Sequence, residues 1–288
     1  VPILHAIVLG IVQGLSEFLP ISSSGHLLLT PWAFGWHDFV GNADLEKTFD
    51  VALHLGTLLG AIAYFRADII TLVRAAFFPR RAPAVVSAGT LAADHPTPEA
   101  ERRLAWLLLL SCIPGGITGA LLETPIEEHL GQIWLIGVML IVFGLILYWA
   151  DHLAGDRSIT DFRVRDAVLM GAGQALALSP GVSRSGVTIS VGRKLGFDRD
   201  AAARLSFLMG LPIIGGAVAL KLGKQFANGF PDGFAAPFFW GIVASGVSGY
   251  IAVWALLRLI RTRGFTPFVI YRVAIGLVVL LVYATGIR

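Results

Sequence analysis

The sequence predicts an all-α integral membrane protein. It should have about six transmembrane helices and two re-entrant broken-helix hairpins arranged as an inverted-topology repeat. Three observations lead there. Hydrophobic residues make up 56% of the 288 and charged ones only 14%, against about 25% charged in a soluble domain; mean hydropathy is +0.75. Six stretches are long and apolar enough to cross a bilayer. Two further apolar regions are each cut in half by a short polar run of Pro, Gly and Ser.

In chain order, the first broken region covers about residues 1–34. Its halves are each too short to span, the pattern of a hairpin whose tip is tolerated only when protein or a cavity surrounds it. Its start lacks a basic n-region and a clear cleavage site, so it is not read as a signal peptide. Spans are expected over about 46–65, 103–122 and 133–150. The second broken region covers about 166–197, and further spans follow over about 200–222, 234–257 and 265–287. Residues 79–101 form a polar-to-mixed loop, 151–165 a charged connector and 223–233 a turn region. The whole is one polytopic domain, 1–288, with repeat 1 over about 1–122, repeat 2 over about 166–257 and a last helix over about 265–287.

Charge gives the orientation. With both hairpins re-entering and six spans crossing, one face collects sixteen Lys and Arg. The other holds four: Lys47, Lys221, Lys224 and Arg288. The richer face is expected in the cytoplasm. The first hairpin then dips in from outside and the second from the cytoplasm, as an inverted repeat requires. The interval from Gln13 to Gly25 recurs from Gln174 to Gly186, each containing a proline followed by serines. The match needs a one-residue shift between the glutamine and the proline.

Polar groups at membrane depth cost several kcal/mol unless paired or hydrated, so function is expected at the two polar runs. In the first, Gln13 and Glu17 lie one helical turn apart. They could hold a cation, accept a proton or cap a neighbouring backbone; a polar packing pair is the plainer alternative. Ser22, Ser23 and Ser24 precede Gly25 and His26. A serine needs a base to become a nucleophile, and His26 is within helical reach of Ser23. Ordinary serine capping is the alternative, although free N–H groups at a helix start also bind phosphate. The second run offers Gly181, Ser183, Arg184, Ser185 and Thr188. The Arg184 guanidinium suits phosphate oxygens, unless it serves as a structural ion pair with Glu17.

Other features are expected to be structural. Arg272 should pair with Asp50 or Glu46, and His54 should be a hydrogen-bonded interior residue. Cys112, the single cysteine, forms no intrachain disulfide and should be a buried thiol. The pairs Gly56/Gly60 and Gly115/Gly119 have helix-contact spacing, and the seven tryptophans suit interfacial anchoring. The sequence contains no Walker loop, paired CxxC, zincin motif or dinucleotide fingerprint, so no nucleotide or redox cofactor is expected. A formal charge of +3 gives no argument for nucleic acid. A carboxylate, an imidazole, hydroxyls and an arginine in a membrane cavity suit hydrolysis of a lipid phosphate or diphosphate. A lipid-phosphate flippase or transporter using the same midplane site is the rival reading.

At these residues the chain resembles a known family, the bacterial undecaprenyl-diphosphatases of the bacitracin-resistance type. Gln13-x-x-x-Glu17 followed by Phe18-Leu19-Pro20-Ile21-Ser22-Ser23-Ser24-Gly25-His26 is similar to the family's first signature. Pro180-Gly181-Val182-Ser183-Arg184-Ser185-Gly186-Val187-Thr188 is similar to the second. The tail Pro267–Arg272 and the Thr48-Phe49-Asp50 neighbourhood also match. The family admits Glu or Gln at the first position; here it is Gln13, which leaves Glu17 the only carboxylate of the pair. The resemblance implies hydrolysis of undecaprenyl diphosphate to the monophosphate carrier lipid of peptidoglycan synthesis. It implies a bacterial inner-membrane location, a site facing the periplasm and dependence on a divalent cation, Mg or Ca, with Glu17 and Gln13 as its ligands. The lipid diphosphate, membrane lipids and a second copy of the chain are the expected partners. Matched by position, Glu17, Ser23, His26 and Arg184 are the catalytic set. Gln13, Ser22, Ser24, Gly25, Gly181, Ser183, Ser185 and Thr188 would bind substrate.

Overall fold

The computed structural model describes residues 1–39, 41–78, 97–228 and 234–286. Twelve helices run in order among them. These are α1 Ile3–Phe18, α2 Ser23–Phe34, α3 Ala43–Tyr64, α4 Arg66–Phe77, α5 Pro98–Leu110, α6 Cys112–Leu130, α7 Ile133–Asp151, α8 Val164–Leu176, α9 Arg184–Lys194, α10 Arg199–Asn228, α11 Ala235–Arg263 and α12 Thr266–Ala284. A single 3-10 turn, Ile159–Asp161, lies in the connector before α8.

Five helical segments are long and apolar enough to cross a membrane: Pro98–Leu122, Ile133–Asp151, Arg199–Lys221, Ala235–Arg263 and Thr266–Ala284. The pair α3–α4, bent by 82°, is apolar enough to add a sixth when taken as one span. The chain is therefore a multi-pass membrane protein, and its many exposed Leu, Ile, Val and Trp side chains form the surface that lipid would cover. The helix starts follow local chemistry. Asn42 accepts from the Leu45 N–H to cap α3. Thr97 accepts from the Ala100 N–H, with Pro98 in the first turn of α5, where its missing N–H costs nothing.

The structure departs from the sequence reading in several places. Residues 66–77 are helical although no element was expected there; the chain turns at the fully buried Phe65. Residues 223–228 continue α10, so only the later part of the expected turn region remains, and 229–233 lie outside the described residues. Residues 79–96 of the expected loop also lie outside them, with Arg80 and Arg81 of the charge count, and so does Arg288. Helix α11 runs on to Arg263, which carries Arg258, Arg261 and Arg263 on helix rather than loop. Cys112 is half-buried.

Close helix packing is built on small residues. A Cβ on Gly56 or Gly60 of α3 would collide with the backbone oxygens of Ile242 and Gly246 on α11, and one on Gly14 of α1 with Ser248 and Ser245. The Gly56/Gly60 pair thus makes the contact its spacing suggested. Helix α1 sits against α11 and α2, and α12 lies along α7. The charged connector is a scaffold of ion pairs. Asp151 accepts from Arg199 Nε at 2.6 Å and from the Phe265 N–H at 2.9 Å, and Arg157 holds Asp166.

Candidate active site at the meeting of two hairpin tips

Two serines organise the site. Ser22 (φ 79°) and Ser183 (φ 72°) are the only non-glycine residues with positive φ among the described residues. Such backbone is disfavoured for a residue with a Cβ and concentrates at functional sites. Each stands just before a helix. Ser22 Oγ accepts from the Gly25 N–H at 3.4 Å and Ser183 Oγ from the Gly186 N–H at 3.1 Å. The two are 161 positions apart (183 − 22), the separation that also relates Gly25 to Gly186 and Gln13 to Gln174. Aligned on these serines, the one-residue shift vanishes: Pro20 corresponds to Gly181 and Leu19 to Pro180. The capping serines keep the register, and the prolines do not.

The tips touch. The Gly181 N–H donates to Ser22 Oγ at 3.1 Å, and Ser185 Oγ donates to the Leu19 carbonyl at 3.1 Å. Between them lies Arg272, fully buried. Its Nη1 donates to the Pro20 carbonyl at 3.0 Å and its Nη2 to those of Gly181 at 2.9 Å and Val182 at 3.1 Å. Its Nε reaches the Leu140 carbonyl on α7 at 3.1 Å. The expected pairing with Asp50 or Glu46 is not formed. Backbone dipoles satisfy this cation because the tips, unlike a helix interior, leave carbonyls unpaired.

Glu17, at the end of α1 and 5% exposed, is the hub. Its Oε2 accepts from Ser23 Oγ at 2.7 Å and from Gln13 Nε2 at 3.1 Å, and lies 3.5 Å from His54 Nε2. Its Oε1 accepts from Arg184 Nη2 at 3.2 Å and Nε at 3.4 Å. Arg184 Nη1 donates to the Ser206 carbonyl at 3.0 Å, and its guanidinium lies against Gly210, where a Cβ would collide with it. The ion pair weighed as the plainer reading of Arg184 is therefore real, and it sits beside the serine.

The histidines fall differently from expectation. His26 was placed within reach of Ser23, but both its ring nitrogens are taken elsewhere. Its Nδ1 lies 2.7 Å from the Ser22 carbonyl and its Nε2 2.8 Å from the Tyr271 hydroxyl, with the rings stacked at 5.6 Å. A carbonyl only accepts, so Nδ1 carries the proton and Nε2 accepts from Tyr271. His54 is hydrogen-bonded, as expected, through Nδ1 to the Asp50 carbonyl at 2.8 Å. That bond turns its Nε2 onto Glu17, which makes it a site residue that the sequence reading passed over. Tyr271 was missed as well. The signal was within reach: His54 lies one turn after Asp50 of a matched neighbourhood, and Tyr271 lies inside the matched tail.

The remaining candidates stand behind these groups. Ser24 lies 3.5 Å from Ser22, and Ser185 lies 3.3 Å from Ser183. Thr188, fully buried, donates to the Arg184 carbonyl at 2.7 Å and meets Ser206 Oγ at 2.7 Å. Gly181 (φ 91°) packs its α-carbon against Ile136, where a side chain would not fit. A cavity of about 520 Å³ is lined among others by Leu27, which follows His26, by Leu9, Trp36 and Phe39, and by Asp50, with none of Glu17, Ser23, His26 or Arg184 in its wall.

The donor set does not make a protein-held divalent-cation site. No group of three His, Cys, Asp or Glu able to hold a metal occurs among the described residues. Both oxygens of Glu17 already accept hydrogen bonds, and a guanidinium lies against one of them. Gln13 Oε1, buried and without a hydrogen-bond partner, is the oxygen left over.

Fold and site together define a polytopic membrane protein with an acid, a hydroxyl and an arginine joined inside the helix bundle. The family model described as "Bacitracin resistance protein BacA" matches residues 6–278, and the chain belongs to that family. It is 44% identical over 280 residues to a protein of Geobacter metallireducens (strain ATCC 53774 / DSM 7210 / GS-15) named undecaprenyl-diphosphatase, covering 96% of this chain and 97% of the relative. The likeness to the protein of that name from Geobacter sulfurreducens (strain ATCC 51573 / DSM 12127 / PCA) is 45% over 276 residues, covering 95% and 96%. For that of Nocardioides sp. (strain ATCC BAA-499 / JS614) it is 42% over 288 residues, covering 100% and 98%.

Proposed function

We infer that the chain hydrolyses undecaprenyl diphosphate to undecaprenyl phosphate and inorganic phosphate. Its family supports the substrate. The observation that carries the chemistry is the bonding of Ser23 and Arg184 to the two oxygens of one carboxylate, Glu17, from different hairpins. The flippase or transporter alternative gains no observation of its own.

In the mechanism that fits, Ser23 Oγ attacks the terminal phosphorus as Glu17 takes its proton. The bond from that phosphorus to the bridging oxygen breaks, and undecaprenyl phosphate leaves. His54 Nε2, facing the same carboxylate oxygen, receives the proton in turn. Arg184 forks onto the phosphoryl oxygens and offsets the charge that builds there. Water then cleaves the phosphoserine to release phosphate, its proton passing to the Tyr271 hydroxyl as that hydroxyl gives its own to His26 Nε2. The N-terminal ends of α2 and α9, where the two tips start new helices, add favourable dipoles for an anion. A Mg or Ca requirement would act through the diphosphate's own oxygens, with Gln13 Oε1 the protein oxygen free to reach the ion.

The excess of basic residues on one face supports a bacterial inner-membrane orientation with the site open to the periplasm. A tag within residues 79–101 tests this: labelling from outside intact cells would reverse it.

The reaction is tested by phosphate release from undecaprenyl diphosphate by the purified chain in detergent. Release that disappears in Arg184→Ala and His26→Ala is expected; no release from the unaltered chain, with lipid binding retained, would overturn the reading. Acid-quenched trapping of a phosphoserine in the unaltered chain, and its loss in Ser23→Ala, checks the covalent step. Turnover kept in Ser23→Ala would leave water as the direct nucleophile.

A further inference from the structure

Away from the hairpin tips, the end of α3, the start of α10 and the last turns of α11 enclose a cavity of about 410 Å³ lined by Tyr64, Arg204, Trp254, Leu257, Arg258 and Arg261. None of the groups placed in the reaction lines it. Three arginines line it, and one carboxylate serves two of them. Asp200 accepts from Arg204 Nε at 2.7 Å and from Arg261 Nη2 at 3.4 Å. The Arg258 guanidinium lies 5.7 Å over the Trp254 ring and has no carboxylate partner among the described residues. The lining therefore keeps an excess of positive charge.

Its apolar side is equally defined. Leu257 is buried at the base, and the Tyr64 ring is fixed edge-on by Phe65 and Tyr250. Trp254 is half exposed at 49%. Trp and Tyr with this mix of burial and exposure suit head-group depth. All three arginines belong to the face that carries the excess of basic residues, and basic pockets between membrane helices on that face bind anionic head groups. Planar guanidinium forks match phosphate oxygens.

We propose that this pocket is a second, non-catalytic site that binds a phosphate group at the membrane surface. The aromatic and aliphatic floor seats the glycerol of an anionic phospholipid, and the arginine rim holds its phosphate. Arg258 is the discriminating residue, because its guanidinium is not committed to Asp200.

The test uses the purified full chain stripped of lipid and compares Arg258→Gln, and Arg258→Gln with Arg261→Gln, against the unaltered sequence. Binding of phosphatidylglycerol and of phosphatidylcholine is read by native mass spectrometry, and inorganic phosphate binding by thermal shift. A preference for phosphatidylglycerol that weakens roughly fivefold in the single variant and roughly thirtyfold in the double supports the site with a lipid ligand. Stabilisation by inorganic phosphate that the variants lose, without a lipid preference, supports it with a soluble one. Equal binding of both lipids and of phosphate by the unaltered chain and Arg258→Gln overturns it. Melting temperature checks the folding of each variant. Phosphate release in lipid-free detergent should be unchanged in Arg258→Gln, so failure here and failure of the proposed reaction are read separately.

Discussion

The Ser23 hydroxyl donates to the Glu17 carboxylate at 2.7 Å, and the imidazole three residues further on turns away from it. The carboxylate at the end of α1, and not the imidazole held by Tyr271, is thus the group that faces the serine. Glu17→Gln keeps the size of the side chain and removes the base. It should lower kcat for phosphate release by roughly 10²–10⁴-fold with little change in KM. His54→Ala, which removes only the second proton acceptor, should cost on the order of tenfold. A larger loss in His54→Ala than in Glu17→Gln would exclude the proposed order of proton transfer.

Tyr271→Phe deletes the hydroxyl that His26 Nε2 accepts and leaves the stacked ring in place. Breakdown of the phosphoserine should then slow more than its formation. Rapid-quench measurements should find phosphoenzyme accumulating in this variant, with kcat reduced roughly tenfold or more and the initial burst retained.

Gly210→Ala places a methyl group against the Arg184 guanidinium without altering any group that touches substrate. The arginine must shift, and misplacement by about 1 Å can cost on the order of 10²-fold in rate. Steady-state kinetics should show a fall in kcat/KM with a melting temperature close to that of the unaltered chain, whereas Arg184→Lys should lose the forked contact itself.

Arg272→Met leaves the tip carbonyls of Pro20, Gly181 and Val182 buried without their donor. Leaving buried partners unsatisfied costs about 1–3 kcal/mol each, so thermal melting in detergent should drop sharply. Arg272→Lys, with three donors on one nitrogen, should recover part of the stability.

Gln13→Glu sets a second carboxylate beside Glu17, where the amide now donates. Like charges in contact disfavour double ionisation unless a cation joins them. Activity at limiting Mg should fall below that of the unaltered chain and rise with added Mg, which a titration of phosphate release will read.

Much of this molecule was legible in its residues. Six apolar stretches and two interrupted ones carry a hydropathy signal that survives any uncertainty in helix ends, and the paired polar runs marked the site because membrane depth makes such groups costly. Connections carried by geometry alone were not legible. Nothing in a linear pattern says that a carbonyl-rich hairpin tip will satisfy Arg272 in place of a carboxylate. Nor does it say that the Asp50 carbonyl will rotate His54 toward Glu17. The bend at Phe65 escaped for the same reason, since a turn of 82° inside continuous helical sequence leaves no Pro or Gly to announce it.

Arg272 grips the two tips by main-chain oxygens, and main chain is the part of a protein that substitution leaves alone. Proline at one tip and glycine at its counterpart present the same handhold. A side-chain change at either tip therefore leaves this grip in place, and the acid on one tip stays in register with the guanidinium on the other.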